Sequence, residues 1–176
     1  MDGILPFLNS SFINLLAGSV IAAVGLFTWQ RQDWEFKERY QRNQVWLDRQ
    51  LDLVENVNRD VGKLVALAAS ISAPILKGPV SEEETNDSVR SYNEYQSSWF
   101  GLCEAYKASL AFYFSTEIVE SFTHVIEMTE VMDALGSNVR SLDGAKKMYE
   151  AGEAVYTSLR AWNAMVLGQI KGNPRR

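Results

Sequence analysis

A chain of 176 residues, 47% apolar and 22% charged, holds enough material for one domain, or for one domain and an accessory segment. Its formal net charge is −5, and no Lys/Arg-rich block occurs beyond the Arg175–Arg176 tail, which excludes the basic footprint of a nucleic-acid binder. The single cysteine, Cys103, excludes an intramolecular disulfide framework; within an apolar helical pattern it reads as a small buried hydrophobe.

The apolar residues are unevenly placed. Between Gly3 and Gln30 there is no charged side chain, and the most apolar part runs from Phe12 to Trp29. About 20 helical residues cross a hydrocarbon layer of about 30 Å, so this stretch has the length of a membrane span. Trp29 and Trp34 stand where interfacial aromatic residues belong. A cleaved signal peptide would open with Lys or Arg and end at a small-residue cleavage site; the chain opens Met-Asp-Gly and has neither. A buried core helix over residues 4–29 is the remaining alternative, favoured by the polar insertions Asn9, Ser10, Ser11, Asn14 and Ser19.

Orientation follows from the flanking cations. None precedes the segment, whereas Arg31, Lys37, Arg39 and Arg42 follow it. The basic flank stays in the cytoplasm, so the short N-terminus is expected outside and residues 30–176 inside. Ser11, Asn14, Gly18, Ala22 and Gly25 recur at spacings of three and four and share one helical stripe. Small residues permit close helix approach and Asn14 needs a partner in hydrocarbon, so this stripe is expected to drive self-association.

Residues 30–72 contain no proline and one glycine, Gly62. Phe36, Tyr40, Leu47, Leu51, Val54, Val57, Val61, Leu64, Ala68 and Ile71 recur every three or four residues, which predicts one long helix continuous with the span and ending before Pro74. The spacing suits coiled-coil pairing, and packing within a bundle gives the same pattern. Pro74, Gly78 and Pro79 mark a loop. Ser81 with Glu84 three residues later forms a capping box that predicts a helix over 81–114, with Val89, Tyr92, Trp99, Leu102, Cys103, Tyr106 and Leu110 inward.

Ser115-Thr116-Glu117 reads as a kink or a new cap before a helix over 116–136, whose inward face carries Ile118, Val119, Phe122, Val125, Ile126, Met132 and Leu135. Gly136-Ser137-Asn138 stops it. The last helix spans 142–171, with Met148, Tyr149, Val155, Leu159, Trp162, Val166 and Ile170 on its apolar face. No segment alternates with period two, so no sheet is expected. The predicted class is all-α: a transmembrane helix within residues 1–29, continuing into a long helix, and an antiparallel helical bundle within 30–176.

Candidate chemistry is sparse. His124, the one histidine, sits on a helical row with Glu117, Glu120, Glu127 and Glu130. A metal-binding bundle would need Glu-x-x-His on two helices; the spacing here is Glu-x-x-x-His, and the row reads as a solvated acidic face. There is no phosphate loop, dinucleotide fingerprint or nucleophile elbow. We expect no enzyme, no metal and no cofactor. Trp99 and Trp162 belong to the core, and Trp46, beside the main stripe, is a candidate anchor for a protein partner. The sequence therefore points to a membrane-anchored interaction protein whose partners are the lipid bilayer and copies of itself. The alternatives are an oligomeric pore lined through the Asn14 face, and a soluble bundle with residues 4–29 in its core.

Overall fold

The computed structural model describes the backbone of residues 10–136 and 139–172, and the side chains of residues 26–136 and 139–172. Four helices follow in order: α1 (Ser10–Lys77), α2 (Glu82–Tyr113), α3 (Thr116–Gly136) and α4 (Leu142–Gly172). No strand occurs among the described residues. The chain divides into two units, Met1–Trp46 and Leu47–Arg176.

The second unit is a helical bundle. On α1, Val54, Val57, Val61, Leu64, Ala68 and Ile71 are buried at alternating steps of three and four, with Gln50, Val65 and Ser72 buried beside them. On α2 they are Tyr92, Trp99, Cys103, Tyr106 and Leu110. On α4, Met148, Gly152, Val155, Leu159, Trp162 and Val166 keep the same rhythm. Each is the stripe that a 3.6-residue period lays along one face. Fully burying a large apolar side chain contributes about 1.5–3 kcal/mol. Trp99, Phe122 and Trp162, each 0% exposed, are therefore leading contributors.

The helices run antiparallel in sequence order. Gln50 and Asp60 of α1 meet Tyr113 and Tyr106 of α2, so one ascends as the other descends. Trp99 of α2 reaches Thr129 of α3, while Tyr106 packs edge-on against Phe122. Trp162, late in α4, donates its indole N–H to the carbonyl of Ile118, early in α3. Asn58 of α1 pairs with Asn163 of α4, and a Cβ on Gly152 would lie 3.3 Å from Val65 Cγ1. The result is an up-down-up-down bundle with α1 between α2 and α4.

The turns follow local chemistry. Ser81 caps α2 by accepting the Glu84 N–H at 3.2 Å, and the acids Glu82, Glu83 and Glu84 occupy the positive end of the helix dipole. Ser115 opens α3 as a new cap rather than a kink: Phe114 is extended (φ −131°, ψ 171°), and the Ser115 carbonyl accepts from both Ile118 and Val119. Ser141 Oγ caps α4 by accepting the Gly144 N–H at 2.9 Å.

One boundary differs from expectation. The first helix does not stop before Pro74 but runs through it to Lys77. Proline deletes a single donor, the one that would reach Ser70, while the amides after it remain available for one more turn. Ile75 in that turn packs against the core, which favours keeping it helical. The break comes instead at Gly78, whose φ of 156° disfavours any residue with a Cβ.

Four positions that spacing places on apolar faces are exposed: Leu51 and Tyr149 at 44% each, Tyr40 at 58% and Phe36 at 69%. Periodicity assigns a face, but burial also needs a neighbouring helix across it.

Candidate interaction surface

The first unit presents an unusual helix surface. Within α1, Leu26, Phe27, Trp29, Trp34, Phe36, Tyr40 and Val45 are all at least half exposed, from 58% for Leu26 and Tyr40 to 69% for Phe36. Scattered exposed apolar residues are ordinary; here Trp29, Phe36 and Tyr40 share one side of the helix and form an apolar patch, while Phe27, Trp34 and Val45 lie on the other side.

Beside this patch lies a ladder of ion pairs. Asp33 meets Lys37 at 2.7 Å, Glu35 meets Arg39 at 3.6 Å, Glu38 meets Arg42 at 3.7 Å, and Arg31 meets Glu35 at 3.2 Å. All are exposed i, i+4 pairs, each contributing about 0.2–0.5 kcal/mol to the helix. In the first three the acid precedes the base, the orientation that also suits the helix dipole. The ladder thus supports helix over residues 31–42 and engages the cations Arg31, Lys37, Arg39 and Arg42 with acids on the same helix.

The sequence-derived site residues fall as follows. Trp29 and Trp34, expected at a membrane interface, are 63% and 64% exposed. Trp46, the candidate partner anchor, is partly buried. The stripe of Ser11, Asn14, Gly18, Ala22 and Gly25 lies outside the described side chains, as does most of the expected span. Among the described residues, no helix is long and apolar enough to cross a membrane.

The bundle carries a separate set of polar features. Asp60, a side chain 15% exposed, accepts the Tyr106 hydroxyl at 2.5 Å, and its backbone carbonyl accepts Tyr95 at 3.4 Å. Burial, followed by the adjacent Asp60 charge, pushes Tyr95 up to about 12; burial and the Asp60 hydrogen bond raise Tyr106 as well. Lys63 Nζ sits 4.1 Å from the Tyr95 ring centroid, a cation–π contact. Each charge in this cluster already faces a partner on the chain, so it reads as a clasp between α1 and α2.

His124 Nδ1 lies 3.3 Å from Glu127 Oε2, with both side chains more than half exposed. Among the described residues, no group of three or more His, Cys, Asp or Glu side chains is gathered as a metal ion would require. Cys103 is buried, and burial pushes its thiol up to about 12, far from a reactive thiolate at neutral pH. A cleft of about 330 Å³ lies beside the turn after α1, lined by Ile75, Gly78, Pro79, Val80, Glu82, Thr85 and Arg140. Its one cation, Arg140, donates to Asn86 at 2.8 Å and lies 3.9 Å from Glu82.

Comparison with protein-family models, with curated proteins and with solved structures finds no match.

Proposed function

We propose that this protein is a membrane-anchored helical interaction module, self-associating and without catalytic activity. In this reading a transmembrane helix within residues 1–29, most apolar from Phe12 to Trp29, spans the bilayer, the N-terminus lies outside, and the bundle is held on the cytoplasmic side, where it assembles with copies of itself and with a protein partner. The observation that carries the reading is the exposure of Leu26, Phe27 and Trp29 at the end of the uncharged run Gly3–Gln30. Side chains of this size left open to water at the edge of such a run suit a helix that enters lipid, with Trp29 and Trp34 at headgroup depth.

The alternative in which residues 4–29 complete the bundle core requires Leu26, Phe27 and Trp29 to be covered. The core formed by the described residues instead begins at Val54 on α1. The interior of the bundle is apolar and aromatic; its buried polar residues Gln50, Ser72 and Thr129 each hydrogen-bond within the chain. That arrangement suits a scaffold.

The test is extraction of the full chain from membranes of cells that express it. Retention through high salt and alkaline carbonate, with release by mild detergent, is the expected result. Release into plain buffer would overturn the anchor. Protease added to sealed inside-out vesicles should digest the bundle, and protection of the bundle there would reverse the proposed orientation.

A further inference from the structure

Along α1 the residues that form the bundle core obey a seven-residue repeat: Val54, Val61 and Ala68 on one row, Gln50, Val57, Leu64 and Ile71 on the other. Extended toward the N-terminus without a skip, the same rows read Leu47, Tyr40 and Asp33, and Asn43, Phe36 and Trp29. Within the bundle this seam is covered by α2 and α4, through contacts such as Gln50 to Tyr113 and Asn58 to Asn163. In the first unit its aromatic members remain open: Trp29 is 63% exposed, Phe36 69% and Tyr40 58%. The ion-pair ladder leaves the seam apart from Asp33 uncharged.

We propose that this stretch of α1, Trp29 to Asn43, pairs in parallel and in register with the same stretch of a second copy of the chain. A repeat of 3.5 residues keeps one seam facing a partner helix over several turns, and a matching partner must carry the same repeat. A second copy supplies it by symmetry. The charges flanking the seam select the direction. Parallel pairing sets Lys37 opposite Gln32 of the other copy and Arg39 opposite Gln44; its one like-charged pair is Asp33 against Asp33 within the seam. Antiparallel pairing over the same length sets Lys37 against Lys37 and Arg39 against Arg39, which repels. Parallel pairing is also what two chains anchored in one membrane allow. Asp33 is the one charged seam residue. Lys37 at 2.7 Å compensates it, so it weakens the pair without forbidding it.

This inference deepens the interaction-module reading and rests on it for its use, but its geometry does not need the membrane. The experiment uses the full chain in mild detergent, with Cys103→Ser as background. Single cysteines are introduced at Phe36 and Tyr40 on the seam, and at Glu38 and Arg42 on the opposite face, followed by mild oxidation. Covalent dimers from Phe36→Cys and Tyr40→Cys, with none from Glu38→Cys or Arg42→Cys, are expected. Equal cross-linking at all four positions, or none at the seam positions, overturns the pairing.

In light scattering, Tyr40→Glu should weaken self-association at least about tenfold and Asp33→Leu should strengthen it. A chain whose mass is indifferent to both overturns the proposal as well. Membrane extraction of the same variants separates the two readings. Retention in the membrane with no seam cross-links removes only the pairing, and seam cross-links in a chain released by salt remove only the anchor. Seam cross-links that persist in Asn14→Leu and Gly18→Leu chains place the dimer contact on the seam; their loss there would move it to the span and overturn the proposal.

Discussion

Asn58 of α1 and Asn163 of α4, 105 positions apart in sequence, exchange side-chain amides: each donates to the other's carbonyl oxygen, at 2.9 and 2.7 Å. Asn58 also donates to the carbonyl of Val54 at 2.9 Å. An amide pair of this kind is satisfied at one register of α1 against α4, because a slip by a turn would leave two partly buried amides without partners. Apolar faces tolerate sliding far better, so this pair fixes how the first and last helices align.

Replacing one partner should therefore cost more than replacing both. Asn58→Leu alone is expected to destabilise the protein by about 1–3 kcal/mol, since Asn163 is left unpaired in a half-buried site. The double variant with Asn163→Leu should recover part of that loss. Urea titrations of the two single variants and the double complete the cycle. Strict additivity would show that the amides act independently.

Trp99 donates its indole N–H to Thr129 Oγ1 at 3.0 Å, and Thr129 donates its own O–H to the Ile126 carbonyl at 2.7 Å. Thr129→Val keeps the volume but removes the acceptor from a fully buried indole. A loss of about 1–3 kcal/mol is expected, visible as a lower urea midpoint with an unchanged slope. Thr129→Ser, which retains the hydroxyl, should cost less.

The glycines separate into two kinds. A Cβ added at Gly62, Gly101 or Gly168 meets nothing within 4 Å, so each alanine variant should gain about 0.5–1 kcal/mol from the smaller entropy of its unfolded chain. At Gly152 the new Cβ would lie 3.3 Å from Val65 Cγ1 and 3.9 Å from Met132 Sδ. There the same substitution should yield no gain, and Gly152→Val should lose stability by overpacking α4 against α1. Thermal unfolding of the alanine set tests the contrast.

Alkaline pH should weaken the bundle. Burial raises Cys103 from 9.0 to about 12 and Tyr95 from 10.0 to about 12; burial, then the charge of Asp133, raises Tyr92 in the same direction. Groups whose folded values lie above their unfolded ones keep their full stabilising effect below the unfolded value. That effect is lost as pH climbs toward the folded value, because the unfolded chain gives up its protons first. Stability should thus be insensitive to these groups at pH 7–8 and fall between about pH 9 and 12. Cys103→Ala and Tyr92→Phe should each flatten the decline in urea midpoints measured across that range.

Much of the architecture was legible in the sequence because it rests on local rules. The capping box Ser81–Glu84, the stop at Gly136 and the three- and four-residue spacing of Trp99, Cys103, Tyr106 and Leu110 all act within a few residues of chain. Pro74 misled because its local cost is one lost donor, while the burial of Ile75 that outweighs it comes from other helices. The polar partners were not readable at all: nothing near Asn58 in sequence points to Asn163, and nothing near Asp60 points to Tyr106.

The sequence by itself determined an all-helical chain, the positions of its four helices within a few residues, and which face of each helix is apolar. Hydrogen bonding and side-chain period in a helix are set by neighbours three and four residues away, and those neighbours are written in order along the chain. Only the tertiary structure decided where an apolar face is covered. The same α1 seam is buried at Val57 and Leu64 and open at Phe36 and Tyr40, although its spacing is identical. Coverage depends on α2 and α4 arriving from about 30 to 110 residues further along the chain, and helical periodicity carries no information at that distance.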